Sequence, residues 1–126
     1  MKSLYSYFFL FSILNLQIEG RYERHNQFCG DINGTDIRWS LDIKENKTYV
    51  LEITARKNEY LSKPKTTFIS GTWQEEADTI KLSHWAKKDN VLIFYKKNDR
   101  LMFQSSKSKF QSRDLIYLDY LEKPMD

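Results

Sequence analysis

A chain of 126 residues with three tryptophans, eight tyrosines and eight phenylalanines has material for one sizeable core and one domain. Its single cysteine excludes an internal disulfide framework, and a net charge of +3 is too mild to suggest a nucleic-acid-binding surface. The fold must therefore rest on packed apolar side chains.

Lys2 precedes an apolar run over 5–18, broken only by Ser6, Ser12, Asn15 and Gln17. That run is short for a bilayer span and suits the core of a secretory signal. It predicts a signal peptide at 1–20, a single domain at 21–126, and export to the periplasm, outer envelope or extracellular space; an uncleaved anchor or a buried strand is the alternative. Cys29 lacks the small-residue run that lipoprotein processing uses and reads as an ordinary buried cysteine. The triplets at Asn33 and Asn46 match the glycosylation pattern, which matters only in a eukaryotic secretory path.

Residues 21–34 are polar and without period. Alternation then becomes strict: Ile37, Trp39, Leu41 and Ile43 are separated by Arg38, Ser40 and Asp42, the pattern of a half-buried strand. Glu45-Asn46 marks a turn, and Tyr49, Leu51 and Ile53 continue the pattern. The polar stretch 55–65, with Pro64, reads as a long loop. Two alternating runs within 68–85 flank the polar cluster 74–78 and predict a hairpin with a longer turn. Gly71 inside the first run predicts a bend or a close backbone approach, with Trp73 on the same face covering the gap. The apolar run 91–95 is a strand, Leu101 and Phe103 begin another, 104–113 is loop, and 115–121 is the last strand. The sum is an all-β, small antiparallel up-and-down barrel, lipocalin-like, of about seven to eight strands; a two-sheet sandwich is the other candidate.

Cys29 and the alternation after it, Lys47-Thr48-Tyr49, Ser70-Gly71-Thr72-Trp73 and the run from Ala77 through Leu82 together resemble the amino-terminal barrel of the NlpE-like bacterial envelope lipoproteins. The resemblance covers most of 29–103 and implies a lipocalin-related barrel at the cell envelope, in a family linked with copper resistance and envelope sensing. The family's Cys-x-x-Cys pair would fall near Asp31 and Gly34, where this chain has neither cysteine. The resemblance therefore carries the fold and not the family's metal or thiol chemistry.

Catalysis has little to stand on, since His25 and His84 are far apart and no nucleophile sits beside either in a recognisable pattern. The acids Glu75, Glu76 and Asp78 lack the spacing of a calcium loop. One thiol and two scattered histidines predict weak copper affinity. No cofactor motif is present, and the expectation is a protein that is not an enzyme. In an up-and-down meander successive connections alternate between ends. The turns 44–47, 74–78 and 96–100 then share one end with balanced charge, and the loops 55–65, 86–90 and 104–113 share a basic one. Arg56, Lys57, Lys87, Lys88, Lys107 and Lys109 are the candidate partner-binding residues, for an anionic lipid, polysaccharide or protein surface. The alternative is a carrier of a small apolar ligand inside the barrel.

Overall fold

Strict alternation becomes the inner and outer walls of a closed barrel in the computed structural model, which describes residues 18–28, 35–57 and 63–124, with backbone alone at 27, 28 and 57. Its strands are β1 (Gly20–Phe28), β2 (Thr35–Ile43), β3 (Thr48–Lys57), β4 (Lys65–Glu76), β5 (Thr79–His84), β6 (Val91–Lys97), β7 (Arg100–Phe103) and β8 (Tyr120–Glu122). Each pairs antiparallel with the next, and β8 returns to β1. The inward set of β2 and β3 is Ile37, Trp39, Leu41 and Ile43 facing Tyr49, Leu51 and Ile53, every one of them at most 1% exposed. Burying one such aliphatic side chain is worth about 1.5–3 kcal/mol, so this sheet face drives folding.

Three elements differ from the sequence expectation. The polar stretch after residue 20 is a nine-residue strand, β1, paired along its whole length with β2. It hides because Arg24 and Asn26 share the side of the pleat of buried Tyr22, so polar residues stand where an apolar repeat would show. The last strand is only Tyr120–Glu122, while Arg113–Tyr117 is a short 3-10 turn anchored by Leu115, 1% exposed. The β4–β5 hairpin closes through two residues, Ala77 and Asp78, with Ala77 left-handed at φ 51°. The expected signal boundary meets the barrel itself. Gly20 opens β1, and Ile18 before it is already core at 6% exposed. The run before Ile18, Cys29 and Asn33 lie outside the described residues.

Gly71 is a site of close approach, as its place in β4 predicts, but Trp73 does not fill the gap. A Cβ on Gly71 would lie 1.7 Å from the carbonyl oxygen of Ser83 and 3.1 Å from the Tyr49 ring. The backbone of β5 occupies the space that a side chain would need. Gly71→Ala is therefore expected to destabilise by about 3 kcal/mol, the upper end of overpacking costs, and to lower Tm by about 10 °C or more. A calorimetric scan with unchanged Tm would contradict this.

The seam between β1 and β8 is sparse. Its one Cα pair joins two like charges, Glu23 and Glu122. Side chains complete it: Arg24 donates Nε and Nη2 to the two carboxylate oxygens of Asp119, each at 3.0 Å. The Tyr120 ring lies between the Arg24 and Arg100 guanidinium groups, 4.2 and 4.5 Å from its centroid. Partial burial works against the Asp119 charge, but the hydrogen bonds from Arg24 and the Tyr120 amide outweigh it and hold the carboxyl below its ordinary value. A depressed carboxyl stabilises the fold above its unfolded pKa, and that contribution fades as pH falls through the folded value. Asp119→Asn should cost up to about 1 kcal/mol at neutral pH, as the pair is half exposed. The Tm difference from the parent should shrink on acidification below about pH 4. A difference independent of pH would remove the ionic contribution from the seam.

Candidate functional site

The two ends of the barrel are built differently. At the turn end, the Trp73 indole Nε1 donates to the Lys44 carbonyl at 2.9 Å, and Lys47 Nζ lies 4.0 Å above the ring. The Tyr22 hydroxyl donates to the Ile18 carbonyl at 2.7 Å, and burial, with Asp99 and Glu75 nearby, pushes its pKa up to about 12. Glu75, which the sequence placed in the turn 74–78, lies in β4 and forms an ion pair with Lys96. This end is sealed and its charges are matched.

At the loop end the long connection between β7 and β8 crosses the opening. Lys109 and Val91 exchange backbone hydrogen bonds, both at 2.8 Å, and Ser108 Oγ accepts from the Ile93 amide at 2.8 Å. The Phe110 ring packs at a tilt of 51° against Phe103, with centroids 5.6 Å apart. The cover leaves a cavity of about 450 Å³ whose floor includes Tyr49, Ile69, Leu92 and Leu115, with His84 and Lys87 among its polar lining. The Tyr49 hydroxyl is buried with no hydrogen-bond partner, and burial raises its pKa. His84 Nδ1 accepts from the Lys87 amide at 2.9 Å, which holds the ring at the end of β5. A second concavity, about 490 Å³, lies along β1–β3, but its charges alternate in sign and Arg21 is paired with Glu23.

A family model for the NlpE N-terminal domain matches residues 28–114. The chain belongs to that family. No curated protein and no solved structure matches the chain. Membership in the NlpE family points to the cell envelope as the place of work and to a binding module as the type of protein. Among the described residues no three His, Cys, Asp or Glu side chains cluster. Cys29 lies outside those residues.

Of the predicted site residues, Lys87, Lys88, Lys107 and Lys109 are exposed together at the loop end, on the β5–β6 loop and the crossing connection. Lys87 Nζ holds Gln111 and so ties the two segments. Arg56 stands apart. It is half-buried near the end of β3 opposite Asp36, beside a small concavity with Arg38 and Pro64. Lys57 ends β3 opposite Thr35, and its side chain lies outside the described residues. Lys63, Lys65 and Arg113 add exposed positive charge to the segments at this end. Asp89 and Asp114 oppose them, while Asp119 is neutralised by Arg24.

Sequence reasoning missed Phe68, Trp85 and Ile116, which are 62%, 58% and 63% exposed. For Phe68 a signal was present: it alternates with inward Ile69, Gly71 and Trp73 and so had to face outward.

Proposed function

We propose that this NlpE-family barrel is an exported, non-catalytic binding module whose working surface is the basic loop end, which engages an anionic partner. The observation that carries the reading is the sorting of charge by end: lysines collect on the connections at one end, while acids and bases balance at the other. A field concentrated at one end steers anionic partners and orients them on arrival. His84 accepts from the Lys87 amide, and His25 pairs with the Asp36 carboxylate on the outer wall between β1 and β2. Export to the periplasm, outer envelope or beyond accords with the family. A processing point ahead of Ile18 fits the barrel better than one after Gly20, because the later cut removes a core side chain.

Retention on a sulfated polysaccharide resin tests the surface. Lys88, Lys107 and Lys109 replaced together by Ser should elute at clearly lower salt than the parent. The same change at exposed Lys44, Lys81 and Lys97, off the loop end, should move elution much less. Equal shifts from the two triples would leave the loop end without a special role.

The cavity favours a second reading, a carrier of a small apolar ligand, since its volume falls within the usual range for ligand sites and its floor is apolar. Titration with an environment-sensitive apolar fluorophore should give saturable binding that Ile69→Trp abolishes by filling the space. Binding that survives this change would place the dye elsewhere.

A further inference from the structure

Five large apolar side chains are substantially exposed among the described residues, and four of them, Phe68, Trp85, Ile116 and Tyr117, lie on segments that frame the loop end. Tyr95, the fifth, is on the outer wall of β6. Phe68 and Trp85 are neighbours: the Trp85 amide donates to the Ser70 carbonyl at 3.0 Å, and Phe68 precedes Ser70 by two residues on the same outer face. Phe68 and Leu115 border one cavity, and Ile116 follows Leu115 in the 3-10 turn. Leu115 is buried, so the turn presents Ile116 from a fixed base. The outer walls of β2 and β5 carry residues expected of a solvated face, such as Arg38, Ser40, Asp42 and Lys81.

We infer that the loop end is a bilayer-docking face, on which Phe68, Trp85 and Ile116 enter the lipid interface while the surrounding lysines meet anionic headgroups. This rests on the loop end being the working surface and adds its occupant. A purely anionic polymer would be met by the lysines alone and gives Phe68 and Ile116 no environment better than water. A bilayer interface accommodates both chemistries, with apolar side chains below the headgroups, an indole at their level and lysine stems reaching outward to phosphate. Electrostatic attraction to the headgroups and apolar insertion add, so binding persists at salt levels that screen charge alone.

The fluorescence of the protein isolates the key event. Trp39 and Trp73 are 1% and 2% exposed inside the barrel, so a change in emission on contact with lipid reports Trp85. The full chain is mixed with phosphatidylglycerol vesicles, with and without bromine on the acyl chains, at low and at physiological salt. The expected result is a blue shift and bromine-dependent quenching at both. Phe68→Ser combined with Ile116→Ser should weaken vesicle binding by about tenfold or more, the equivalent of burying one such side chain. The same double variant should leave Tm and elution from the sulfated resin as in the parent. Adsorption to vesicles without blue shift or quenching would overturn insertion and leave the charged-end reading standing. Retention on the resin with no adsorption to vesicles would also overturn it, in favour of an anionic partner that is not a membrane. Failure of the charged end itself would show separately, as equal elution shifts from the two lysine triples.

Discussion

An eight-stranded sheet becomes a barrel only if its last strand meets its first, and here the backbone barely provides that meeting. The three residues of β8 offer one Cα pair to β1, and that pair sets Glu23 against Glu122. Like charges across a strand pair repel. Each is offset by its own partner, Arg21 at 2.9 Å from Glu23 and Arg100 at 3.3 Å from Glu122. The rest of the closure is the bidentate Arg24–Asp119 pair and the Tyr120 ring between two guanidinium groups. Planar guanidinium groups suit both contacts, because they can bond a carboxylate in the plane and stack on a ring through the face. Closure by side chains in place of a ladder makes this edge polar, and that explains why β1 carries no apolar repeat.

Closure in turn decides what each end can do. Short turns at one end leave no opening, and Trp73, reaching up to the Lys44 carbonyl, seals it. The other end receives the long connections, including the segment that must travel from β7 to the seam. That segment is held by backbone bonds to Val91 and by Leu115 and Leu118 packed into the core. It covers the opening without filling it, which leaves the cavity over Tyr49. Chain enough to carry lysines and exposed apolar side chains is found at this end, so binding chemistry collects there.

The family match runs from the last residue of β1 to the start of the 3-10 turn ahead of β8. It therefore covers the alternating strands β2 to β7. Arg24, Asp119, Tyr120 and Glu122, which form the seam, fall outside it. The part of this chain that the NlpE family model matches is the central sheet, and the residues that fasten the edges lie beyond it.

The sequence by itself determined the central sheet. The inward residues of β2 and β3 are read directly from a period of two, since one face must be apolar and the other wet. It also determined that successive connections alternate between the two ends, because the strands form a meander. Tertiary structure alone decided the rest. β1 is a strand because β2 offers it a ladder and Asp119 a partner for Arg24, and neither is near in sequence. Leu115 belongs to a cover and not to a strand, since β7 pairs β8 only at 120–122 and the residues before them are needed to cross the opening. Gly71 announced a close approach, but only the register of β5 shows that the Ser83 carbonyl makes it. Local pattern reports which face of a strand is buried; it holds no information on which distant backbone or charge will lie against that face, and the seam and the loop end depend on such distant contacts.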